Sequence, residues 1–180
     1  MYKENNKGYT MTEVISVLAI IGMLMSSMAM LISSLFDKYK KNQVQDQLLT
    51  IEKRINQRYV ADKNYTGIDV AELIEEQVFP KDVVNGDKVV NVYGDVEIVG
   101  YETTYTIQFT GIPLTACVAL GVMGWVNTDS TDLVSLTING TKYTWPYKGK
   151  QTDDTSLPLD AGRLAQKCTR LNNTMMWEFQ

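Results

Sequence analysis

Glu13 is the residue that most needs a chemical explanation. It stands at the edge of Val14 to Phe36, 23 positions without a single charge. A carboxylate carried to membrane depth costs on the order of 2–3 kcal/mol, so it asks for a partner. Cutting the chain after Gly8 supplies one. The new α-amino group of Tyr9 then lies one helical turn from Glu13, at a spacing where groups on a helix meet. The same amine can reach the Glu13 of a neighbouring copy, and in low-dielectric surroundings such a pair is strongly orienting. That is chemistry for assembly rather than catalysis. Histidine is absent, which removes Ser-His-Asp and Cys-His pairs and every histidine metal site. Two cysteines, Cys117 and Cys168, are too few for a cysteine zinc site. No Walker loop or dinucleotide fingerprint occurs, so no cofactor is implied. The acidic pair Asp153-Asp154 lacks the alternating ligands and distal Glu of a calcium loop, and is expected to be a solvated turn. A net charge of −4 and a pI near 4.9 argue against a nucleic-acid partner.

The elements that must position Glu13 follow from apolar patterning. About 20 helical residues cross a bilayer core of about 30 Å. The run Val14–Phe36 is therefore long enough to span, and its sides are apolar all round. It is too long for the core of a cleaved secretory signal, and no small-residue cleavage site follows it before Lys38. Lysines flank it on both sides (Lys3 and Lys7, then Lys38, Lys40 and Lys41), so charge does not fix its orientation. No Gly or Pro occurs from Met23 to Thr66. Val44, Leu48, Ile51, Ile55 and Tyr59 then recur at spacings of 4, 3, 4 and 4, one face of an amphipathic helix. Together the two halves predict one helix from about Thr10 to Val60, roughly 75 Å long at 1.5 Å per residue.

The segment KGYTMTEVISVLAIIGMLMSSMAML resembles the class III signal of type IV prepilins. The matching features are a short basic leader ending in Gly8, a carboxylate at the fifth mature position (Glu13) and an uninterrupted apolar span. Tyr9 as first mature residue departs mildly from the Phe or Met common in that family. The resemblance implies cleavage between Gly8 and Tyr9 by a prepilin peptidase, N-methylation of Tyr9, and a Tyr9–Glu13 salt bridge during assembly. It implies a filament of identical copies, assembly machinery in the inner membrane, and minor pilins as further partners. The precursor would sit in the inner membrane before joining an extracellular pilus, with its head periplasmic or extracellular. A central helix segment can unwind in such filaments. Gly22 is a candidate starting point, close helix packing being the alternative.

The expected fold class is α+β: the long N-terminal helix packed on a head with an antiparallel sheet and short helices. Four regions are expected: a leader over 1–8, an apolar helix over 9–36, its amphipathic half over 37–61, and a globular head over 62–180. Asp69 is expected to cap a short helix VAELIEEQ, and Asn85-Gly86 to form a turn. Strands are expected at Val96–Val99, Tyr105–Phe109, Leu133–Ile138, Lys142–Trp145 and Met175–Phe179, with helices over Pro113–Met123 and Leu159–Cys168. Two cysteines behind an export-type start favour a Cys117–Cys168 disulfide over free buried thiols. Residues 128–151, inside that loop, are expected to be exposed. The head sequence, from NYTG through VFPKDVVNGDK to YTIQFTGIPLTACVAL, resembles type IVb pilins of thin conjugative and enteric adherence pili, although the eight-residue leader is short for that group. The expected role is the major pilin. A minor pilin, a type II secretion pseudopilin and a single-pass inner-membrane ligand-binding protein are the alternatives.

Overall fold

The computed structural model describes residues 10–59, 61, 64–123, 132–146, 154–169 and 171–180, with the backbone alone at 24 and 26–31. Gly8 and Tyr9 lie outside the described residues. Helix α1 runs from Met11 to Tyr59 without a break. The chain divides into two compact units, residues 1–40 and 41–180. Among the described residues no helix is long and apolar enough to cross a membrane.

In the second unit the predicted stripe forms the helical side of the core. Val44, Leu48, Ile51 and Ile55 are all buried. Each such side chain contributes on the order of 1.5–3 kcal/mol relative to exposure. Opposite them lies a seven-stranded antiparallel sheet of β1 (Val84–Asn85), β2 (Lys88–Val90), β3 (Asp95–Gly100), β4 (Tyr105–Ile112), β5 (Leu133–Ile138), β6 (Thr141–Thr144) and β7 (Asn173–Phe179). The spatial order is β1-β2-β3-β4-β7-β5-β6. The C-terminal strand is thus inserted between β4 and β5. Register places Ile98, Ile107, Trp177, Leu136 and Tyr143 in one row across five strands. All five are buried, which pins the pairing, because a slip by one residue would turn every side chain to the other face. At the β4 bulge Gly111 adopts φ +73, and an added Cβ would stand 2.6 Å from the Tyr93 carbonyl oxygen.

The short helices form where their caps predict. Asp69 accepts from the Glu72 N–H and starts α2 (Val70–Glu75). Pro113 precedes α3 (Leu114–Gly121). Asp160 accepts from the Arg163 N–H and starts α4 (Ala161–Lys167).

Three expectations need correction. The turn placed at Asn85-Gly86 is a two-residue loop of Gly86 and Asp87, because Asn85 pairs with Lys88. Helix α4 begins at Ala161, not Leu159; Leu159 is buried ahead of the Asp160 cap. Residues 132–146 are not the exposed surface expected within the disulfide loop, although the expected strand pair is present. They form the β5–β6 hairpin, which buries Leu133, Ser135, Leu136, Ile138 and Tyr143. The remainder of that expected surface, 128–131 and 147–151, lies outside the described residues, as does Asp153.

Candidate assembly interface

The first turn of α1 gives Glu13 a local job. Thr10 stands just before the helix, and its carbonyl accepts from the N–H groups of Glu13 and Val14. In return the Glu13 carboxylate accepts from the Thr10 N–H (3.0 Å) and the Thr10 hydroxyl (3.1 Å). This is the returning half of a capping box, with the carboxylate beside the positive end of the helix dipole. The Ser16 hydroxyl donates to the Thr12 carbonyl at 2.7 Å. The T-x-x-E spacing of Thr10 and Glu13 is readable in the sequence, although a threonine at a helix start is too ordinary to stand out. Glu13 itself is exposed, on an open helix face shared with Thr12, Ser16 and Val17. The Thr10 contacts use one carboxylate oxygen, Oε2.

Beyond that turn the surface is apolar and uncovered. Val14, Ile15, Val17, Leu18, Ile20, Ile21, Met23 and Met25 are exposed, and so are Ile32, Leu35, Phe36 and Tyr39. The second group lies at helical spacings of 3, 1 and 3, on one open face of the helix. Soluble monomers rarely leave apolar patches this extended, which marks the face as a candidate contact surface. Helix α1 passes through Gly22 unbroken, and a Cβ built there meets nothing within 4 Å.

The head is tied together around Cys117 and Cys168. They form a disulfide with Cα atoms 6.1 Å apart, joining α3 to the end of α4. Gly121 lets the two helices approach: a Cβ there would meet Leu164 at 2.7 Å. Next to the bridge, fully buried Asn173 joins three segments. Its amide donates to the carbonyls of Ile112 (2.7 Å) and Thr169 (2.9 Å). Its carbonyl oxygen accepts from the Thr169 N–H (2.6 Å) and the Asn139 amide (2.9 Å). Sequence reasoning missed Asn173, since its partners lie up to 61 positions away. Asn173→Ala orphans several buried groups at once and should cost about 2–4 kcal/mol, read as a lowered thermal midpoint of the whole chain.

A half-buried polar cluster around Glu52 and Asn56 works against stability. Asn56 donates to both Glu52 (2.8 Å) and Asp132 (3.2 Å), and the buried Tyr105 hydroxyl donates to the Asn56 carbonyl at 2.8 Å. Burial, and then the Asp132 charge, push the Glu52 carboxyl above its ordinary value of 4.5. A raised folded value means that stability is fully present below the unfolded value and is lost as pH rises through the folded one. Ionised Glu52 therefore destabilises the head at neutral pH. Glu52→Gln should raise the midpoint at pH 7 by about 1–3 °C, and this gain should vanish below about pH 4. Glu178 behaves oppositely. Burial pushes it up, but the Lys142 ammonium (2.8 Å) and the Ser135 hydroxyl (2.6 Å) outweigh that and hold it below the ordinary carboxylate range.

Comparison with known proteins bears mainly on the head. A family model described as PilS N terminal matches residues 38–179. The solved type IV b pilin from Salmonella typhi aligns with a TM-score of 0.50 at 19% identity, covering 74% of this chain and 97% of that one. TcpA, a type IV pilin from Vibrio cholerae El Tor biotype, aligns with a TM-score of 0.48 at 12% identity, covering 79% and 99%. No curated protein matches. The family match begins at Lys38, after the apolar run. It therefore owes nothing to Gly8, Glu13 or the span between them.

Proposed function

We propose that this chain, which belongs to the PilS N-terminal family and carries the type IV pilin fold, is the major subunit of a type IVb pilus. Its work is structural and it is not an enzyme. The observation that supports the reading best is the uncovered apolar first half of α1 with a carboxylate at its start. In this account residues 1–8 form a leader that a prepilin peptidase removes between Gly8 and Tyr9, and the Tyr9 amine is then methylated. Residues 9–36 hold the precursor in the inner membrane, residues 37–61 pack beneath the head, and the head over 62–180 lies outside the cytoplasm.

Assembly then exchanges lipid for protein. The Tyr9 amine of one subunit pairs with Glu13 of another and sets the register. The apolar helices bundle, and packing between copies replaces contacts with lipid tails. Gly22 is a point where the helix loosens within the filament. Each subunit packs heterologously on the next, so the array stays open and grows into a pilus. Such a filament serves adhesion, aggregation or conjugation, with assembly machinery and minor pilins as further partners. Deleting the gene for this chain should remove an abundant filament from the sheared surface fraction of its cell, and restoring it should return the filament. A cell that sheds the same filaments without this chain would assign the chain a minor or secretion role instead.

A further inference from the structure

The proposed filament needs contacts between heads as well as between helices, and two surfaces of the head are complementary in chemistry. The first is a groove of about 520 Å³ beside α1, lined by Arg54, Ile74, Gln77, Phe79, Pro80, Lys81 and Val84. Ile74, Phe79, Pro80 and Val84 make most of its lining apolar, Arg54 and Lys81 are its two cations, and no acidic side chain lines it. The Arg54 guanidinium donates to the Val78 carbonyl, which fixes it at the rim, while Lys81 is exposed. Neighbouring Glu76 is occupied by Arg58 (2.9 Å) and by the Tyr59 hydroxyl (3.3 Å), so it does not neutralise the groove.

The second surface is the tip of the β3–β4 hairpin. The Tyr101 N–H donates to the Thr104 carbonyl at 2.7 Å and closes a tight turn. The Glu102 carbonyl accepts from the Tyr65 N–H, anchoring the turn to the head. The Tyr101 side chain is 52% exposed, and the adjacent Glu102 is exposed and belongs to no ion pair among the described residues. A large apolar ring beside an anion is what a groove with a mostly apolar lining and two cations accepts. Among the exposed large hydrophobics of the described head, Tyr101 is the aromatic one.

We propose that the Tyr101–Glu102 turn of one copy docks in the Arg54–Lys81 groove of a second copy. Groove and turn are different patches of one head, so the contact is heterologous and propagates instead of closing. The inference rests on the filament reading above and names the faces that meet. It also accounts for how heads of net negative charge pack side by side: a carboxylate of each is met by two cations of the next.

The test uses the full chain in filament-producing cells. Lys81→Cys combined with Glu102→Cys, oxidised on sheared filaments, should give a reducible ladder of dimers, trimers and higher species on denaturing gels. Neither single variant should give the ladder. Lys81→Glu and Glu102→Lys should each lower filament yield by about tenfold or more, a 1.4 kcal/mol effect, and the double exchange should restore most of it. Filaments of the double-cysteine chain without a ladder would overturn the contact while leaving the filament reading intact. So would a double exchange that assembles no better than the single variants. Wild-type cells that shed no filament of this chain would overturn the filament reading, and the contact with it.

Discussion

Glu13→Ala should leave cleavage after Gly8 intact and reduce sheared filaments by about a hundredfold or more. The size follows from what the substitution leaves behind. Breaking a buried ion pair by removing one partner costs about 3–5 kcal/mol, because the other charge stays desolvated and alone. In the proposed filament the orphan would be the Tyr9 amine of a neighbouring subunit. Alanine also removes the acceptor for the Thr10 N–H, a capping loss of about 1 kcal/mol. Glu13→Gln separates the two effects. It retains an oxygen for the Thr10 N–H and hydroxyl but carries no charge. If pairing governs assembly, the Gln variant should fail nearly as badly as the Ala variant. Full piliation by Glu13→Gln would reduce Glu13 to a helix cap. Quantifying cleaved and sheared chain in the same cells reads both steps.

The second large effect is expected at the disulfide. Replacing both cysteines, Cys117→Ala with Cys168→Ala, frees a loop of about 50 residues and should cost about 4 kcal/mol on the chain-entropy estimate. Whole domains are stable by only about 5–15 kcal/mol, so this is a large share of the margin. The loop holds β5, β6 and α4, and its closing residues join α3 to α4. The thermal midpoint of detergent-solubilised full-length chain should fall by about 10 °C, with less chain reaching the cell surface. An unchanged midpoint would mean that Asn173 and the Gly121–Leu164 packing close the loop without covalent help.

What was legible in the sequence had a local cause. Helix α1 was readable because nothing breaks it and because Val44, Leu48, Ile51 and Ile55 keep helical spacing; all four are buried. Strand β5 was readable to the residue, since its alternation ends in Asn139-Gly140, where both residues take positive φ. Asp69 announced α2 because one short side chain can reach the N–H of Glu72. The obscure features are those that depend on distant partners. Strands of two and three residues, as in β1 and β2, carry no period to detect. The insertion of β7 between β4 and β5 is fixed by rows of buried side chains contributed by five strands. The same applies to the Arg54–Lys81 groove, whose rim comes from α1 and from the segment after α2. At the candidate interface, Glu13 stood out because a charge there is costly, whereas Thr10 was missed because a threonine at a helix start is ordinary.

The account depends most on what happens at Gly8 and Tyr9, and one measurement addresses it: the intact mass and N-terminal residue of the chain sheared from cell surfaces. The account predicts an abundant chain that starts at N-methylated Tyr9, lacks residues 1–8 and retains the Cys117–Cys168 bridge. A chain that still starts at Met1 and is found only in membranes would contradict it and return the apolar run to the role of a plain anchor.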